Sequence, residues 1–155
     1  MKQFDPNYPG LIEGDVTRVA VIDPVVPPEL GNHVIDPTKP FDVKVEWNVS
    51  GLFAPLWLQA LGGSWDVSVY SESLGAGRET RLGTATVAAN PGTLNYSATV
   101  RVPANTLEEH TPGTNFGGIY KLAVAVFLNS NIPGLRGFDL VGFAEGPIIQ
   151  AEDTR

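Results

Sequence analysis

From Phe41 onward the chain is a succession of short segments in which apolar and polar residues alternate, each closed by turn-forming residues. The clearest, Phe41–Val49 (FDVKVEWNV), is apolar at every odd position and polar or charged at every even one. Successive side chains of a strand point to opposite faces, so this period of two marks a strand buried on one side. It also specifies register, because a slip of one residue would turn every apolar side chain to water. SWDVSVY (64–70) puts Trp65, Val67 and Val69 on one face, and LNYSATVRV (94–102) sets Leu94, Tyr96, Ala98, Val100 and Val102 against four polar positions. IYKLAVAVFL (119–128) aligns Tyr120, Leu122, Val124, Val126 and Leu128, with Ile119, Ala123, Ala125 and Phe127 on its other side. That composition predicts a central strand covered on both faces. ETRLGTATV (79–87), FDLVGF (138–143) and PIIQA (147–151) complete the set.

The connections, among them SLGAGRE, AANPG and NSNIPGLRG, are built from Gly, Pro, Asn and Ser, which supply the backbone angles of turns. No segment after Phe41 keeps a 3.6-residue apolar stripe over ten residues. Many short strands with regular turn signals predict an all-β protein, a two-sheet antiparallel β-sandwich in which 155 residues form one core.

The first forty residues differ. They hold seven of the thirteen prolines and three Asp-Pro steps, at 5–6, 23–24 and 36–37. Proline fixes its own φ and drives the preceding residue to extended geometry. The expectation is an extended N-terminal arm over 1–40 with one strand at Asp15–Ile22, followed by the β-sandwich domain over 41–155. Val19, Val21, Val25 and Val26 make the arm too apolar for a disordered tail, so it is expected to lie along a surface, its own or a neighbour's.

A Trp in SWDVSV followed by a strand opening with Tyr in GGIYKLAVAV resembles the pattern of immunoglobulin-like and fibronectin type III-like sandwiches. The resemblance covers roughly residues 41–150 and is one of fold. It implies that Tyr120, near the start of the sixth strand, bonds back across the adjacent corner. The cysteine pair of antibody domains is absent, and sandwiches host many unrelated functions.

Composition removes several chemistries. With no cysteine, disulfides, thiolate metal sites and cysteine nucleophiles are excluded. Seventeen acids against ten scattered bases give a net charge of −7, the opposite of a nucleic-acid-binding surface. Two histidines, His33 and His110, are too few for the imidazole-rich copper and zinc sites of sandwiches. Glu108-Glu109-His110 reads as a solvated turn, and the Asp residues of the arm lack the alternating pattern of a calcium loop. No GxSxG elbow, phosphate loop or dinucleotide fingerprint is present. Asn48-Val49-Ser50 and Asn95-Tyr96-Ser97 match the glycosylation triplet but fall on strands. No catalytic, cofactor or metal residues are assigned, and an enzyme is not expected. No signal-peptide core follows Met1 and no run of eighteen apolar residues occurs, so the expected place is the cytoplasm, or outside it by a route needing no signal peptide.

One connection is unusual. GLFAPLWLQALGG (51–63) carries Leu52, Phe53, Leu56, Trp57, Leu58 and Leu61, whereas connections are usually polar. Two readings stay open: a helical turn that caps the sandwich and completes its core, or an exposed apolar interaction patch. The functional expectation is a non-enzymatic structural or protein-interaction module, a subunit of a homo-oligomer whose contacts include Val19 and Val21 of the arm and Phe53, Leu56 and Trp57 of the loop. The alternative is a carbohydrate- or ligand-binding module using Trp57 and Tyr70 with Asn48 and Asp66. Trp47 and Trp65 are expected in the core under both.

Overall fold

The computed structural model describes residues 2–5, 7–22, 34–109, 117–132 and 140–152; His33, His110, the Asp23-Pro24 step, Val25 and Val26 lie outside the described residues. In chain order the elements are β1 (Lys2–Asp5), β2 (Glu13–Ile22), β3 (Val34–Ile35), β4 (Phe41–Ser50), α1 (Ala54–Leu61), β5 (Ser64–Ser73), β6 (Thr80–Ala88), β7 (Asn95–Val102), β8 (Ile119–Asn129) and β9 (Val141–Ala151). They form a two-sheet sandwich. One sheet runs β2-β4-β7 and the other β6-β5-β8-β9, each antiparallel, with β3 added in parallel outside β9.

The alternating segments become strands because one side of each finds an apolar partner. Val43, Val45, Trp47 and Val49 of β4 face Trp65, Val67 and Val69 of β5 and the Tyr120–Leu128 stripe of β8, all buried. Four rings tie the layers together: Trp65 meets Phe4 edge-on at 5.7 Å and Trp47 at 5.9 Å, while Trp47 stacks on Tyr96 at 5.6 Å. Among the described residues the indole N–H groups of Trp47 and Trp65 have no hydrogen-bond partner, so packing holds both indoles, while Tyr96 Oη is anchored to the Asn90 backbone.

β1 belongs to both sheets. Lys2 and Gln3 pair with Val16 and Asp15 of β2, while Phe4 and Asp5 pair with Gly142 and Val141 of β9. The Phe4 ring fills a slot between two glycines. A Cβ on Gly14 would stand 2.9 Å from the ring, and one on Gly142 would overlap it outright.

The segment before residue 41 is therefore not laid over the sandwich as an arm with one strand. Its described residues supply three strands, and β2 pairs with β4 along nearly its whole length. A bulge at Thr17 decides which way β2 faces, because pairing passes from Val16–Trp47 to Arg18–Glu46. The extra residue brings Val16, Val19 and Val21 to one side, opposite Trp47, Val45 and Val43. A second register shift, between Lys121–Ile148 and Ala123–Glu145, absorbs Gly146 and Pro147 in β9. A proline cannot donate to the ladder and is tolerated where the ladder is broken.

The tyrosine corner forms as the resemblance implies. Tyr120 Oη donates to the carbonyl of Glu108 at 2.8 Å and accepts from its N–H at 3.0 Å. β8 is central, between β5 and β9, but it is covered on one side only. Ile119 and Phe127 are exposed, and Ala123 and Ala125 are half-exposed on the outer face of the sheet. Period-two patterning cannot distinguish a small residue under a second layer from one at the surface.

Replacing Phe4 by Ala removes the ring that β1 places between the sheets, and should cost about 3–5 kcal/mol in urea unfolding. Burial raises the Tyr120 pKa above its ordinary 10.0, against the opposing effect of the Glu108 backbone bond. The folded chain thus keeps a proton that the unfolded chain releases. This stabilisation is complete below about pH 10 and is lost as pH climbs through the raised value. Tyr120→Phe should destabilise at about pH 8 by roughly 1–2 kcal/mol and show a shallower loss of stability between about pH 9 and 11 than the wild type.

Candidate interaction surfaces

α1 is a two-turn helix whose Ala54, Leu58 and Leu61 point into the core at i, i+4, i+7 spacing. Its start has no side-chain cap, and it ends where the Gly62 N–H bonds the Leu58 carbonyl at 2.9 Å. The sequence APLWLQAL leaves little that is polar for the opposite side. Leu56 is 61% exposed, and Leu52 and Phe53, just before the helix, are 76% and 45% exposed. Trp57 is half-buried against the core. The segment 51–63 therefore completes the core on one side of the helix and exposes apolar side chains on the other.

The exposed side is wider than the helix. Leu52 N–H bonds the Gly10 carbonyl at 3.0 Å and Phe53 N–H bonds the Leu11 carbonyl at 2.8 Å, so the turn between β1 and β2 is stitched to the start of α1. Gly51 makes this approach possible: at φ 109° it sits against the Leu11 backbone, where a Cβ would collide. The turn brings exposed Tyr8 and Leu11 beside Leu52 and Phe53. The stretches that build the patch carry no charged residue, none occurring between Asp5 and Glu13 or between Glu46 and Asp66. Tyr8 and Leu11 escape a sequence reading because only the long-range backbone bonds put them there.

Val19 and Val21 do not join this patch. The Thr17 bulge turns them inward, half-buried against the core of their own domain. The four residues of the alternative ligand site also separate. Asn48 lies on the outer side of β4, whereas Asp66 and Tyr70 lie on the outer side of β5 in the opposite sheet, and Trp57 is on α1. Asp66 accepts a hydrogen bond from Thr86 Oγ1 at 3.2 Å.

Tyr70 instead opens onto a second surface. The outer side of β6-β5-β8-β9 holds an open concavity of about 710 Å³, crossed by Tyr70 and Arg81 on one side and Phe143 and Glu145 on the other. Ala123 and Ala125 form its floor. Lys121 Nζ pairs with Glu145 Oε1 at 2.8 Å, and that hydrogen bond holds the ammonium pKa above its usual 10.5. Among the described residues no three His, Asp or Glu side chains gather as metal ligands would, and no helix is long and apolar enough to cross a membrane. The sequence matches no protein-family model and no curated protein.

The two sides of α1 should separate in mutational stability. Leu58→Ala, at a fully buried site, is expected to cost about 2–5 kcal/mol, and Leu56→Ala to stay within about 0.5 kcal/mol of wild type by urea unfolding of the dilute, dissociated chain.

Proposed function

We propose that this protein is a non-enzymatic β-sandwich module that works by protein–protein contact, associating with copies of itself through the uncharged end formed by Tyr8, Leu11, Leu52, Phe53 and Leu56. The observation that carries this reading is a helix apolar on two sides and buried by its own chain on one. Helices that are hydrophobic all round are normally buried all round. A second copy is favoured as the occupant by charge. Two molecules of net charge −7 repel wherever their acids face each other, but a patch without ionisable groups can meet its own copy across a two-fold axis without apposing like charges. Exposed leucines and aromatics flanked by polar turns have the composition of an interface core.

We also read the sandwich as immunoglobulin-like. Counting its seven long strands, the first, second and fifth (β2, β4, β7) face the third, fourth, sixth and seventh (β5, β6, β8, β9), and Tyr120 opens the sixth. That division and the tyrosine corner support the reading.

Light scattering on the purified chain should give a multiple of 16.5 kDa, and Leu56→Glu or Leu52→Asp should return it to 16.5 kDa with unchanged circular dichroism. A wild-type mass of 16.5 kDa at the highest attainable concentration would sink the proposal.

A further inference from the structure

The concavity on the outer side of β6-β5-β8-β9 is distinct from the α1 end in position and in chemistry. Register places Arg81, Tyr70, Ala123 and Glu145 in one row across the four strands, with Ala125 and Phe143 paired in the next row. Tyr70 and Phe143 therefore stand two strands apart, about 10 Å, and are offset by two residues, about 7 Å, along the strands. Both rings are exposed, Phe143 at 64%, and between them the floor is lowered by two alanines. On the β6 side Glu79 and Arg81 are exposed neighbours on the same face, and neither makes an ion pair or a side-chain hydrogen bond among the described residues.

We propose that this concavity binds a short neutral oligosaccharide, with sugar rings lying against Tyr70 and Phe143 over the alanine floor and hydroxyls bonded by Glu79 and Arg81. The chemistry selects that class in three steps. A sugar ring has an apolar C–H face and a polar edge, and needs flat aromatic surface next to unengaged donors and acceptors. Tyr70, Phe143, Glu79 and Arg81 supply both within one depression. An apolar small molecule would want an enclosed pocket that removes most of its surface from water, and this one is open. A protein partner would have to desolvate Glu72 and Glu79, and acidic residues are depleted at interfaces. Acids outnumber bases around it, Glu72, Glu79 and Glu145 against Arg81 and Lys121, so the site offers no net attraction to an anionic glycan. The diagonal between the rings suits two or three linked sugars rather than one.

Isothermal titration calorimetry of the full chain against neutral trisaccharides of glucose, galactose, mannose and N-acetylglucosamine, with trigalacturonate as the anionic comparison, tests this. At least one neutral trisaccharide should bind with a dissociation constant below about 1 mM. Tyr70→Ala and Phe143→Ala should each weaken it at least about tenfold, while Tyr70→Phe, which keeps the ring, and Leu56→Glu, at the other surface, leave it unchanged. Both rings are exposed, so their truncation leaves the fold intact, which circular dichroism checks. Four results would overturn the proposal: no neutral trisaccharide bound at about 10 mM, binding indifferent to both ring variants, binding of trigalacturonate alone, or a lowered assembly mass in Phe143→Ala without any sugar binding. The last would assign this face to a contact between copies.

Discussion

Phe4, Trp47, Trp65 and Tyr96 come from β1, β4, β5 and β7, and their mutual contact is where the two sheets are locked in position. Everything functional hangs from that lock. β4 delivers the chain into α1, β5 carries it away, and the outer face of β5 presents Tyr70 because its inner face is committed to Trp65, Val67 and Val69. Two indole N–H groups are left without acceptors inside it, a sacrifice of about 1–3 kcal/mol each that the packing of large rings must offset.

Charge then sorts the exterior. The polar side of the β2-β4-β7 sheet is crossed by ion pairs, Arg101 with Asp42 at 3.1 Å and Lys44 with Glu46 at 3.1 Å, which do little for stability at exposed sites. They keep that face wetted. The stretches 7–12 and 47–65 at the α1 end carry no charged residue, and the concavity of the other sheet has charges held beside aromatic rings. One sandwich thus presents three surfaces of different solvent chemistry on a scaffold that need not move.

What could be read from the sequence was whatever depends on the nearest neighbours along the chain. FDVKVEWNV, LNYSATVRV and IYKLAVAVFL are strands at almost the residues that their alternation marks, and Trp47, Trp65 and Tyr120 lie in the core. What stayed hidden depends on partners far away. DVTRVAVI has no local sign of a bulge, so Val19 and Val21 looked presentable when one unpaired residue turns them inward. Tyr8 and Leu11 acquire meaning only through backbone bonds to Leu52 and Phe53, about forty residues on. Phe143 and Ala125 become neighbours through strand register, and alanines carry too weak a preference for inside or outside to announce a surface. The ligand residues picked from the sequence shared a chemistry but were split between opposite sheets, which composition cannot show.

The two-sided pairing of β1 bears on how the chain is made. Phe4 rests against Gly142 of β9, so the slot it fills is incomplete until β9 has been made. β1 is made before β9 and must wait for it. During that interval the inner faces of β4, β5 and β7 are apolar surfaces without their final neighbour, and pairing across such a sequence distance is the slow step of a β topology. The Gly14–Gly142 slot acts as a completion check: the first strand cannot settle against an unfinished sandwich.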